Sequence, residues 1–171
     1  MPRRHPLPRL WLMTDERQGE RLWTALERLP PGAGIVFRHY RLSGEERRVL
    51  FERVKGVSRR RRLTLIVAGE WLPGADGVHN RLGPGLRTAS AHDSAELRRA
   101  ARGADLVFLG PVHATRSHPG GPALGAAGFD RLARRARVPV IALGGMDSAR
   151  FRALRHAYGW AGIDAWSGDE G

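Results

Sequence analysis

Short apolar runs alternate along this chain with stretches whose apolar residues recur at helical spacing. The clearest runs are ADLVFLG (104–110) and VPVIALGG (138–145), with RLWLMTD (9–15), GIVFRHY (34–40) and LTLIVA (63–68) before them. ADGVHN (75–80), LRTASAH (86–92) and WAGIDAWSG (160–168) complete eight strand candidates. Between them, 19–29, 43–60, 93–103, 128–136 and 148–159 carry helical patterns. The second of these opens on Ser43 as a cap, and the third on Asp93 or Ser94, with Gly103 as its stop. Near-continuous apolar strands imply burial on both faces, hence a parallel sheet under helices. Eight such units predict a compact (β/α)8 TIM barrel, with an open doubly wound sheet as the competing arrangement. The 171 residues fall short of the roughly 200 usual for such barrels, so the helices must be shortened. Residues 69–85 leave little room for any helix. One domain over residues 1–171 is expected.

Composition narrows the chemistry. The chain has no cysteine, which excludes disulfides, thiolate metal sites and a cysteine nucleophile and fits a cytoplasmic location. MPRRHPLPRLWLMTD has no sustained apolar core, so no secretory signal is expected, and no run approaches the length that spans a membrane. The net charge is +12, yet Lys55 is the only lysine among 29 basic residues. A bias so lopsided toward arginine is a compositional habit more than a phosphate-contact pattern, and no specific nucleic acid is expected as partner. The densest run, Arg59–Arg62, falls at a helix end, where cations are favoured.

The strand ends carry the candidate chemistry, because in a barrel the active site lies there. They offer Thr14 and Asp15, then Arg38, His39, Tyr40 and Arg41, then His79 and Asn80, then Ser90 and His92. Gly144 and Gly145 follow the seventh strand, and their backbone amides can approach a ligand closely, with the next helix expected to aim its N-terminus at the same place. Ser167 and Gly168 are placed beside them as the other half of a phosphate site, since loops after strands seven and eight commonly form one. The loop 110–125 (GPVHATRSHPGGPALG) adds His113, Thr115, Arg116, Ser117 and His118, a set of hydroxyls and cations suited to diphosphate oxygens. Small phosphorylated molecules are therefore the expected partners. His39, Arg41, Ser90 and His113 are the catalytic candidates; Arg38, His79, Ser90, Thr115, Arg116, Ser117, His118, Gly144, Gly145, Ser167 and Gly168 are the binding candidates.

ADGVHN, TASAHDSAELRRAARGADLVFLGPVHATRSH (88–118) and VPVIALGGM resemble, in order and spacing, the signatures of thiamine phosphate synthases and the related thiazole tautomerases. LWLMTD resembles the first strand of that family, whose fold is a (β/α)8 barrel. The resemblance implies a transferase that joins hydroxymethylpyrimidine diphosphate to thiazole phosphate, giving thiamine phosphate and diphosphate. Diphosphate would leave first, and the thiazole nitrogen would capture the pyrimidine carbocation. By position, Ser90, Thr115 and Ser117 would contact the pyrimidine diphosphate or the thiazole phosphate, and Gly145, Ser167 and Gly168 the phosphate kept in the product.

The chain departs from that family at defined places. The family's Gln-x-Arg-x-Lys at the end of strand two is matched by Phe37, His39 and Arg41, and the loop lysine by His118. Two aspartates hold Mg2+ in the family, at the ends of strands three and four; here Ala68-Gly69 and NRLGPGL stand there. Mg2+ is thus a possible cofactor whose usual ligands are absent, and no metal ligand is assigned, although Asp15, Glu16, Asp164 and Asp169 lie near strand ends. Arg38, Arg41, Arg81 and Arg116 could neutralise a diphosphate in its place. The alternative is a non-synthase relative, a tautomerase or phosphate-ligand-binding protein, with His39, His79, His92 or His113 moving protons.

Overall fold

The computed structural model describes residues 6–116 and 119–168. Its eight strands are β1 (Leu10–Met13), β2 (Gly34–Phe37), β3 (Thr64–Ala68), β4 (Gly77–His79), β5 (Leu86–Ala91), β6 (Leu106–Leu109), β7 (Val140–Leu143) and β8 (Gly159–Gly162). Each pairs in parallel with the next, and β8 closes on β1 through Leu10↔Trp160 and Leu12↔Gly162. Closure decides between the two architectures: this is a barrel and not an open sheet. The strands are shorter than the apolar runs predict, because residues past their C-terminal ends leave the sheet to build one rim.

Side-chain alternation divides the core. Trp11, Met13, Val36, Ile66, Phe108 and Ile141 fill the barrel interior. The opposite faces of the same strands pack outward, Leu12, Phe37 and Val67 under the early helices and Val107, Leu109 and Trp160 under the late ones. Trp11 meets Phe108 edge-on with ring centroids 5.2 Å apart. A Cβ at Gly34 would lie 2.3 Å from the Trp11 ring, so only glycine lets that indole rest against β2.

The helices are α1 (Arg21–Arg28), α2 (Gly44–Arg61), α3 (Ser94–Ala100), α4 (Gly125–Ala133) and α5 (Ser148–Phe151). Ser43 caps α2 in a reciprocal box with Glu46, and Asp93, not Ser94, caps α3. None of these helices is long and apolar enough to cross a membrane. The Arg59–Arg62 run is tied into the fold: Arg59 pairs with Asp76 at 2.9 Å, and Arg61 with Glu27 at 3.1 Å. No helix separates β3 from β4 or β4 from β5. After β8 the described residues turn: the Trp166 indole stacks on Trp160 with centroids 4.9 Å apart and donates to the Trp11 carbonyl. This aromatic side chain packs against the outer barrel wall.

Candidate functional site

The rim at the C-terminal strand ends gathers cations and free amides around two adjoining cavities. The first, about 250 Å3, is lined by Arg38, Thr115, Arg116, Gly144, Gly145 and Asp164 among others. The second, about 430 Å3, lies between the ends of β1 and β2 and shares Arg38 and Arg116 with it. A larger cleft of about 870 Å3 opens at the other end of the barrel, beside Arg9, Arg59 and Arg62. It is far from the strand ends where the polar chemistry converges, so the rim is the candidate site despite its smaller volume.

Local backbone bonds explain how the rim forms. The loop after β6 turns back onto β7: Val112 N–H donates to the Leu143 carbonyl at 2.9 Å and His113 N–H to that of Gly144 at 3.1 Å. This lays Thr115 and Arg116 beside the glycine pair. Gly144 and Gly145 have φ of +102° and +60°, and a Cβ at Gly144 would sit 2.6 Å from the Pro111 Cα. Glycine is needed there for both conformation and space. The Gly145 and Asp164 amides donate to no acceptor among the described residues, and both residues line the smaller cavity. Such amides suit an anion.

Arg38 is the innermost cation. It continues the inward face of β2, its Nε donates to the Thr14 carbonyl at 2.7 Å, and its side chain is 23% exposed. Its Nη2 reaches Asp15 at only 3.4 Å, while Arg17 holds the same carboxylate at 2.7 Å. Its Nη1 has no hydrogen-bond partner among the described residues, and Arg38 lines both cavities. Burial lowers the Arg38 pKa, the cost of a partly desolvated charge, yet a guanidinium stays protonated. The Arg17 hydrogen bond holds the Asp15 carboxyl below its ordinary range.

Deeper along the axis, His79 is buried, with Nδ1 2.9 Å from Thr88 Oγ1 and Nε2 3.1 Å from Ser90 Oγ. Its ring also meets Phe108 edge-on. Burial, with the Arg38 charge adding to it, lowers its pKa to about 4, so the imidazole is neutral at physiological pH. Ser90 is part-buried, and its amide donates to Asn80 Oδ1 at 2.8 Å. These two residues form a fixed polar floor beneath Arg38.

The expected residues thus separate. Arg38, Thr115, Arg116, Gly144 and Gly145 converge on one cavity, and Arg41 borders the adjoining one. His113 is half-buried next to the Gly145 backbone. His39 does not face the mouth: one residue beyond Arg38, it points out of the barrel, stacks on Phe37 and bonds Thr14 Oγ1 at 3.0 Å. Burial keeps its pKa low, and it packs as part of the wall. Ser167 and Gly168 also lie apart from the glycine pair. β8 ends at Gly162, so the chain has already turned away toward α1: Ser167 is buried, and a Cβ at Gly168 would strike the Arg28 guanidinium of α1. The backbone at Ile163, Asp164 and Ala165 takes their place beside Gly145. Counting from the strand's true end would have found them. The helix expected to offer its N-terminus is α5, only four residues long, and the Asp147 carboxylate fills that end by accepting from Arg150 N–H at 2.8 Å. Ser117 and His118 lie outside the described residues.

The residues at the ends of β3 and β4 do not fit a divalent metal. Among the described residues no group of three or more His, Asp or Glu is placed to hold one. Arg81 crosses from the end of β4 and donates to the Gly69 carbonyl, which puts a fixed cation where the resemblance places carboxylates. Of the two nearest acids, Glu70 follows Gly69 as an exposed residue, and Asp76 sits at the opposite end of β4, where it accepts from Leu65 N–H at 2.8 Å and pairs with Arg59.

Comparison with known proteins places these features in a family. The thiamine monophosphate synthase family model matches residues 80–167. The "Putative thiamine-phosphate synthase 2" of Aquifex aeolicus is 29% identical over 179 residues, covering 92% of this chain and 96% of that protein. The thiamine-phosphate synthase of Salinispora tropica is 43% identical over 83 residues, covering 47% of this chain and 39% of that protein. In fold, the chain matches thiamine phosphate pyrophosphorylase from Pyrococcus furiosus with a TM-score of 0.79 at 23% identity, over 95% of this chain and 88% of that one.

Proposed function

This chain belongs to the thiamine monophosphate synthase family, and from that premise we propose that its rim joins a pyrimidine diphosphate to a thiazole phosphate, giving thiamine phosphate and free diphosphate. The observation that carries the reading is the meeting of Arg38, Arg116 and the Gly144–Gly145 turn at one cavity. Two kinds of anion-binding group are offered there: guanidinium charge on one side and backbone amides on the other. In the proposed reaction the methylene C–O bond of the pyrimidine diphosphate breaks, and its electron pair leaves with the diphosphate. The lone pair of the thiazole nitrogen then forms the new C–N bond. Charge grows on the departing oxygens, so cations already fixed around them favour the transition state over the ground state. Arg38 and Arg116 have that part, and the Gly145 and Asp164 amides hold the phosphate retained in the product. Arg41 lies further out, where it can screen the diphosphate as it leaves. No proton has to be moved by the protein in the bond-forming step, which accords with a neutral, fully hydrogen-bonded His79.

The test supplies both substrates to the purified protein and follows thiamine phosphate and diphosphate together. One diphosphate released per thiamine phosphate formed is the expected result. Absence of product across substrate concentrations, with and without Mg2+, would overturn the reading.

A further inference from the structure

The geometry points to a diphosphate subsite in which arginine guanidinium groups stand in for a divalent cation, so that anion binding at the rim is independent of metal. This rests on the proposed function and deepens it. Three observations carry it. First, the gap between the ends of β3 and β4 is bridged by the Arg81 guanidinium, bonded to the Gly69 carbonyl; Glu70 is the acid beside it in sequence, and among the described residues no group of three or more His, Asp or Glu is placed to hold a metal. A hard cation needs oxygen ligands at that place, and a guanidinium already there would repel it. Second, Arg38 lines both cavities, and its Nη1 has no hydrogen-bond partner among the described residues. Third, the cavity between the ends of β1 and β2 is lined by Arg17, Arg38, Arg41 and Arg116 against only Asp15 and Glu16. Both carboxylates are engaged locally: Asp15 by Arg17 at 2.7 Å, and Glu16 by the Arg41 amide at 2.9 Å. Positive charge is therefore left over for an anion, in a fork geometry that matches phosphate oxygens two at a time.

Mg2+ in solution complexes diphosphate, so a site that needs no metal competes with Mg2+ for the ligand. Titration calorimetry with inorganic diphosphate, in EDTA and in Mg2+, separates the cases. The inference predicts binding in EDTA, with Mg2+ leaving the apparent Kd unchanged or weakening it. Arg81→Gln, at an exposed position, and Arg38→Gln should each weaken binding about tenfold or more. Arg134→Gln, on the outer surface at the end of α4, should change it less than twofold and so excludes a general effect of net charge. Binding that appears only with Mg2+, tightens tenfold on its addition, or is unchanged in both Arg38→Gln and Arg81→Gln overturns the inference. Thiamine phosphate titrated into the same protein keeps the two readings apart. If it binds while diphosphate requires Mg2+, the metal-free subsite fails and the proposed function stands. If neither ligand binds under any condition, both fail.

Discussion

Arg38→Gln is expected to lower kcat/KM for thiamine phosphate formation by about 10²–10³-fold, the usual cost of removing one fixed donor from developing charge. The size of the effect follows from where Arg38 sits. Its Nε is anchored on the Thr14 carbonyl and its side chain is mostly buried, so the guanidinium does not have to be ordered when the diphosphate begins to leave. Loss of the charge also exposes the site to Asp15 and Glu16, which border the same cavity and would repel an anion. Gln cannot supply either the charge or the fork. Arg38→Lys retains the charge alone and should fall between the two. Steady-state kinetics on the three proteins check this; Arg38→Gln within threefold of the parent would remove Arg38 from the chemistry. If the loss lies in kcat more than in KM, the residue acts on the transition state and not simply on substrate capture.

The second large effect is on stability. The folded pKa of His79 is about 4, below the 6.5 of an unhindered imidazole. In the unfolded chain His79 takes up a proton as pH falls through 6.5, whereas in the folded protein it resists until about 4. Stability should therefore fall as pH drops from 6.5 toward 4 and be unaffected by this group above neutrality. The loss attributable to it amounts to about 2–3 kcal/mol by pH 4.5, at 1.36 kcal/mol per pKa unit. Charging it in place would set a cation among Thr88, Phe108 and Arg38 with no carboxylate in contact. Urea unfolding of the parent and of His79→Gln at pH 7 and 4.5 isolates the term. The variant should lose less stability over that interval, and equal slopes in the two proteins would refute the assignment.

Much of the architecture was readable from the chain because the barrel strands are buried on both sides. ADLVFLG and VPVIALGG announce themselves by continuous apolarity, and a chain too short for full helices was bound to thin its outer layer. The missing helix after β3 was legible in the same way. What periodicity could not give was the inward or outward sense of each strand end. Arg38 and His39 are adjacent, and a one-residue difference sends one into the mouth and the other under α2. Ser167 and Gly168 lie away from the glycine pair because β8 stops at Gly162, whereas WAGIDAWSG reads as strand to its end. The two indoles six residues apart were the available signal that the chain folds back after Gly162. Arg81 was visible as a charge, but its reach to the Gly69 carbonyl depends on the β3–β4 register, which sequence spacing does not specify.

The most direct measurement of the central claim is a crystal structure of the protein with thiamine phosphate bound. The phosphate is expected within hydrogen-bond reach of the Gly145 and Asp164 amides, with the pyrimidine end directed toward Arg38 and the Ser90–His79 floor. Ligand seated instead in the cleft beside Arg9, Arg59 and Arg62, with the rim empty, would contradict it.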